Sequence, residues 1–99
     1  MRNFQLKFDP DALKEWQRLD GSIKKELRAH LAKRLKSPIV ESARLHGDLH
    51  NCFKIKSKRS GYRLIYTVEQ GVFVVIVIAI GKREDLSAYK AAQKRHPHP

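Results

Sequence analysis

Cys52–Tyr66, CFKIKSKRSGYRLIY, carries the pattern from which the rest of the chain can be laid out. Lys54 and Lys56 are two apart, the side-chain period of a strand, so both leave on one face while Phe53 and Ile55 leave on the other. Ser57–Gly61 is turn-prone, with Lys58 and Arg59 at its tip, and the alternation resumes over Tyr62–Val68, which together predict a β-hairpin. With the loop at Ser57–Tyr62, Lys56 faces Arg63 across the pair on the Lys54 side. Leu64 and Tyr66 then join Phe53 and Ile55 on the buried side. Like charges on neighbouring positions destabilise a sheet, a cost that an anion bound between them would offset. The competing reading is a solvated face whose lysines guard against aggregation. The charge pattern leaves both open.

On the C-terminal side, Glu69-Gln70-Gly71 reads as a turn. Val72–Ile80, VFVVIVIAI, is a β-branched run without polar alternation, which predicts a strand buried on both faces in the middle of the sheet. One of its faces must be covered by the helices and the other by the C-terminal segment, by a partner, or by both. Gly81 is read as letting the chain turn, Lys82 and Arg83 as ending the strand, and Asp85 as capping a short helix with Leu86, Tyr89 and Ala92, near the sheet's edge. For Tyr89, packing against the sheet beside Leu86 is the plain reading of the helix spacing.

On the N-terminal side, Asn3–Phe8 alternates apolar Phe4, Leu6 and Phe8 with polar neighbours, the period of a half-buried strand. Asp9 caps and Pro10 opens a helix whose stripe is Leu13, Trp16 and Leu19. Asp20-Gly21-Ser22 closes it and caps a second helix, about Ile23–Lys36, with the apolar seam Ile23, Leu27, Leu31 and Leu35. The short link predicts an antiparallel helical hairpin. The opposite face of the second helix carries Lys24, Lys25, Arg28, Lys33, Arg34 and Lys36 against a lone acid, Glu26. It is either a solvated surface or one that contacts phosphates. Pro38–Asn51 reads as a connector anchored by Ile39, Val40 and Leu45. His46 and His50, with Asp48 between them, have the spacing of a metal or acid-base pair, but the segment is not helical in pattern and lacks a third ligand.

Ninety-nine residues with 21 Lys and Arg against 10 acids give a net charge of +11, which favours a polyanionic partner, nucleic acid first. A membrane surface is the rival, yet no signal or lipidation motif is visible and the longest apolar run is too short to span a bilayer. A cytoplasmic protein is expected. The single cysteine, Cys52, precludes an internal disulfide and reads as a small core filler rather than a nucleophile. The order strand, helix, helix, strand, strand, strand, helix predicts a small single α+β domain: an N-terminal strand, a two-helix hairpin, an antiparallel three-strand meander joined to the sheet, and a short C-terminal helix. Residues 1–95 form the domain in this reading, and 96–99, with His96 and His98, a loose tail.

The chain resembles the RelE toxin family of the RelE/ParE superfamily, ribosome-dependent messenger-RNA endonucleases of toxin-antitoxin modules. The resemblance covers nearly the whole chain and rests on FDPDALKEWQRLD, ARLHGDLHNCFKIK, SGYRLIYTV and VIAIGKRED, with Tyr89 six residues after Arg83. It implies a RelE-like fold and a mechanism without histidine, metal or cofactor. In that mechanism the messenger's ribose 2′-hydroxyl attacks the adjacent phosphodiester in the ribosomal A site. Lys54 or Lys56 would help deprotonate the hydroxyl or stabilise charge, Arg63 would hold phosphate, Arg83 would serve the leaving oxygen, and Tyr89 would orient a base. A free lysine, with a pKa near roughly 10.4, is a poor base at neutral pH unless neighbouring cations lower it. Arginine is a poor acid, so electrostatic stabilisation is the safer role for Arg83. Lys24, Lys25, Arg28, Lys33, Arg34, Lys58 and Arg59 would dock on ribosomal RNA. A RelB-like antitoxin is the implied protein partner, one that can displace the last helix, with operator DNA reached only through that complex. The alternatives are a ParE-like gyrase inhibitor, which has no need of the clustered cations, and a non-catalytic nucleic-acid-binding module.

Overall fold

The predicted element order holds in the computed structural model, which describes residues 3–82 and 86–95. β1 spans Gln5–Phe8, α1 Pro10–Gln17, α2 Gly21–Lys36, β2 Cys52–Lys56, β3 Tyr62–Glu69, β4 Val74–Lys82 and α3 Ser87–Arg95. Among the described residues the strands form one mixed sheet in the order β1-β4-β3-β2, with β1 parallel to β4 and the other pairs antiparallel. The apolar run therefore lies inside the sheet, as its composition requires.

The helix starts are built as the sequence indicates. The Asp9 carboxylate accepts from Asp11 N at 3.0 Å and Ala12 N at 3.2 Å, with Pro10 opening α1. The Asp20 carboxylate accepts from Ser22 N at 3.3 Å and caps α2. Leu27 and Leu31 of the seam are buried against Phe53, Ile55, Leu64, Tyr66, Val75 and Val77, with Ile23 and Leu35 half-buried at the margins. Each such side chain contributes about 1.5–3 kcal/mol on burial. The α1 stripe is displaced from the expected one. Ala12 is fully buried and Trp16 packs with it, as does Leu19 in the link after the helix, whereas Leu13 is 39% exposed, because the helix turns its Ala12 and Trp16 side to the core.

The other face of the sheet is built differently. Ile65, Ile78 and Ala79 meet Ala88 and Ala92 of α3, with Leu45 and Leu49 of the connector beside them. The register shifts between Ile65 and Tyr66, where Ile65 pairs with Ala79 and Tyr66 with Val77, leaving Ile78 as the extra residue of a bulge. Ile78 and Ala79 consequently both contribute to the α3 side. α3 lies across the central strands β4 and β3 rather than at the sheet's edge, because those strands offer the apolar surface its alanines fit. It is tied down at its far end by Arg95, which donates to Glu15 Oε1 at 2.9 Å and to Ile78 O at 3.0 Å. Glu15 Oε1 also accepts from Ile80 N at 3.1 Å. Past the end of β1 the outer edge of β4 has no strand neighbour among the described residues, and these two side chains bond to it there.

Other local expectations are corrected by the structure. Gly81 is not a turn residue. It is a buried position of β4 whose missing Cβ makes room for α3; a Cβ there would press on the Ser87 side chain and lie 2.9 Å from Ala88 N. Val72 and Phe73 precede β4, in a turn that closes with Phe73 in the left-handed region at φ 56°. Leu86, at φ 55° and 51% exposed, stands outside α3. Ile39 is exposed, whereas Leu45 anchors the connector as expected, joined by Leu49. Arg83 and the expected cap Asp85 lie outside the described residues, as do residues 96–99.

Candidate active site

The hairpin register is the expected one: Lys56 opposite Arg63, Ile55 opposite Leu64, Phe53 opposite Tyr66. Because the period of a strand is 2, the core residues on one side hold Lys54, Lys56 and Arg63 on the other, the face on which Arg63 meets α3. Lys56, Arg63, Tyr62, Ser57, Lys58 and Gly61 line a cleft of about 360 Å³. Lys54 and Lys56 border a second, of about 290 Å³, shared with His30, Arg34 and Ser42 on the β2 edge. Among the described residues no carboxylate pairs with Lys54, Lys56, Lys58, Arg59 or Arg63.

Arg63 joins the sheet to α3. Its Nη1 donates to the Tyr89 hydroxyl, and the guanidinium carbon lies 5.4 Å from the centre of the Tyr89 ring. Its buried Nε has no hydrogen-bond partner among the described residues. A buried guanidinium nitrogen without an acceptor is costly unless an anion completes it. Tyr89 is thus half-buried, combining the packing expected of its helix spacing with a polar end directed at the cation cluster.

The edge strand that carries the lysines is braced from outside. Arg34 Nη1 donates to Lys54 O at 3.2 Å and to the Tyr66 hydroxyl at 2.9 Å, and that hydroxyl donates to Pro38 O at 2.8 Å. Burial pushes the Tyr66 phenol above its ordinary pKa, with the Arg34 hydrogen bond opposing it. Arg44 packs 4.7 Å over the Phe53 ring and is held by Glu41 at 2.7 Å. Leu45 N donates to Cys52 O at 2.9 Å, extending the edge.

Of the basic helix residues, Lys25 and Lys33 are exposed, Arg28 lies 5.7 Å over the Trp16 ring, and Lys24 donates to Gln17 O at 3.3 Å. Arg34 is half-buried and braces β2 through its Nη1, while the residue also lines the cleft that holds Lys54 and Lys56. Lys58 and Arg59 are exposed at the hairpin tip. His46 and His50 are exposed, and the His50 Nδ1 lies 3.1 Å from Gly47 O. Among the described residues no group of three or more His, Cys, Asp or Glu side chains is placed to hold a metal ion. Cys52 is fully buried, and burial pushes its thiol up to about 11, which suits a core filler. The sequence reading missed the bracing role of Arg34 and the Ser57–Glu26 contact behind the tip, at 2.6 Å. Helix spacing gave both residues to a solvated face, and only the short side chain of Ser57 amid Lys56 and Lys58 hinted at an inward contact.

The chain has close counterparts among known proteins. The family described as the ParE toxin of type II toxin-antitoxin systems matches residues 6–86. The mRNA interferase toxin RelE of Escherichia coli K12 is 44% identical over 90 residues, 91% of this chain and 94% of that protein. A double arginine-to-alanine mutant of E. coli RelE in the free state superposes with a TM-score of 0.87 at 41% identity, covering 97% of this chain and 100% of the other. The toxin in the E. coli RelBE toxin-antitoxin complex gives 0.77 at 43% identity, over 82% of this chain and 98% of that one. The chain belongs to the RelE toxins of the RelE/ParE superfamily and, with them, is an endoribonuclease.

Proposed function

We propose that the chain inhibits translation by cutting messenger RNA in the ribosomal A site, using the ribose 2′-hydroxyl as nucleophile and leaving a cyclic phosphate and a free 5′-hydroxyl. The observation that carries this reading is Arg63, a half-buried guanidinium with an open Nε beside Lys56 and Lys54 and no carboxylate among the described residues to neutralise it. Such a cluster favours the extra charge that develops on a phosphorane over the lesser charge of the ground-state diester. Lys54 and Lys56 draw the 2′-hydroxyl toward its ionised form or offset its charge, and Arg63 holds the phosphate by exchanging the Tyr89 hydroxyl for a phosphate oxygen. Tyr89 then stacks on a base. Arg83 stabilises the leaving oxygen. The ribosome supplies the in-line geometry of the strand.

Lys24, Lys25, Arg28, Lys33, Lys58 and Arg59 dock on ribosomal RNA in this reading, which makes binding steeply salt-dependent. A RelB-like antitoxin, as in the E. coli RelBE complex, is the protein partner, and the cytoplasm the compartment. Residues 1–95 act as the toxin domain. Among the described residues no helix is long and apolar enough to cross a membrane. The test is cleavage of a defined messenger on programmed ribosomes with an empty A site, with ribosome-free RNA alongside. Cuts at A-site codons that need ribosomes and fade in Arg83→Ala and Tyr89→Ala are expected. Absence of cleavage by folded protein would reject the reading in favour of simple RNA binding or gyrase inhibition.

A further inference from the structure

The hydrogen bonds of the hairpin tip converge on a residue of α2. Ser57 is 3% exposed, and its hydroxyl donates to Glu26 Oε1 at 2.6 Å. Ser57 Oγ in turn accepts from Ser60 N at 3.1 Å and from Ser60 Oγ at 2.6 Å, and Ser60 Oγ accepts from Tyr62 N at 3.3 Å. Ser57 N to Tyr62 O and Gly61 N to Ser57 O, both 2.9 Å, complete the loop, with Gly61 at φ 76°. The chain of donors runs in one direction, Tyr62 N to Ser60 to Ser57 to Glu26, and ends on a carboxylate, the group that only accepts.

Glu26 is the one carboxylate within Gly21–Lys36 and lines a cleft of about 200 Å³ with Ser22, Ile23, Arg59 and Ser60. Among the described residues it has no ion-pair partner. On charge alone, an acid here weakens attraction for RNA. Its use is geometric. Ser57 follows Lys56 in the alternation of the strand, so pinning Ser57 to α2 sends Lys56 to the opposite face, beside Arg63. A slip by one residue would turn Lys56 toward the helices.

We propose that Glu26 is a positioning residue for the cleavage chemistry: through Ser57 and Ser60 it fixes the hairpin tip, and so the placement of Lys56 and Arg63 against the scissile phosphate. The inference rests on the cleavage reading above. It is tested by single-turnover cleavage on programmed ribosomes, varied in ribosome concentration and normalised to folded protein, with E26A, S57A and E26Q. E26A and S57A are expected to lower the maximal rate about 10- to 100-fold, since small misplacements at a reacting centre cost that much. Their half-saturating ribosome concentration should be unchanged or, for E26A, lower. E26Q keeps an acceptor for Ser57 and should stay within about threefold of wild type, and the double variant should be no slower than either single one, as for residues acting as a unit. A wild-type or raised maximal rate in E26A, or E26Q as slow as E26A, would overturn the proposal. If wild type itself does not cut, the cleavage reading fails first and takes this inference with it, an outcome distinct from equal cutting by all variants.

Discussion

The two faces of the sheet are held by different means. Under α1 and α2 lie large side chains, Phe53, Ile55, Leu64 and Tyr66 against Leu27 and Leu31, with the Phe53 and Tyr66 rings stacked at 5.5 Å. Under α3 the contacts are Ala88 and Ala92 on Ile65, Ile78 and Ala79, supplemented by Arg95 on Glu15 and Tyr89 on Arg63. An alanine buries little apolar area, so it contributes far less than a leucine. A helix of nine residues does not persist without tertiary support. The first face carries the larger apolar contacts; the second carries Lys54, Lys56 and Arg63, and α3 brings Tyr89 against Arg63. On the proposed reading, that division leaves the cation-bearing face the more readily opened of the two.

The difference can be broken from the stable side first. Leu27→Ala should destabilise the fold by about 2–5 kcal/mol, the range for a large-to-small change at a fully buried site, read from denaturant unfolding. On the other face, Gly81→Ala should cost about 1–3 kcal/mol, because the new methyl meets Ser87 and the Ala88 amide. That loss should be local: amide exchange in α3 accelerates while α2 stays protected. Uniform acceleration in both helices would show that the faces are not separable.

The smallest effect concerns Cys52. Its thiol, pushed up to about 11 by burial, stays protonated across the neutral range and should resist thiol reagents at pH 8 until the chain unfolds. The unfolded thiol ionises nearer 9, so the stability this group contributes is complete below pH 9 and drains away as the pH rises toward 11. Rapid labelling of the native protein would mean that the sheet is more open beneath α3 than its packing indicates.

What was legible in the sequence was whatever depends on period. The parity that sends Lys54, Lys56 and Arg63 one way and Phe53, Ile55, Leu64 and Tyr66 the other follows from strand alternation, and the seam of α2 from helix spacing. Long-range chemistry was not legible. The parallel pairing of β1 with β4, the extra residue at Ile78 and the clasp of Arg95 on Glu15 depend on where distant segments meet. Arg34 shows the limit within one helix. Its spacing places it among solvated cations, yet the Lys54 carbonyl on the edge of β2 and the Tyr66 hydroxyl draw its guanidinium inward. Gly81 was misread because a glycine in a strand signals a close approach as readily as a turn, and the approaching helix lies later in the chain.

The most direct test of this account is the single-turnover rate at which Arg63→Ala cuts a messenger on programmed ribosomes, with its thermal midpoint measured alongside. A fall of about 100-fold or more, as for loss of a group that stabilises transition-state charge, is expected. The midpoint should move by no more than about 4 °C, since the residue lies on the lightly held face. A wild-type rate would contradict the assignment of the cation cluster as the cleavage site, and a collapse of the midpoint would contradict the separation of the two faces.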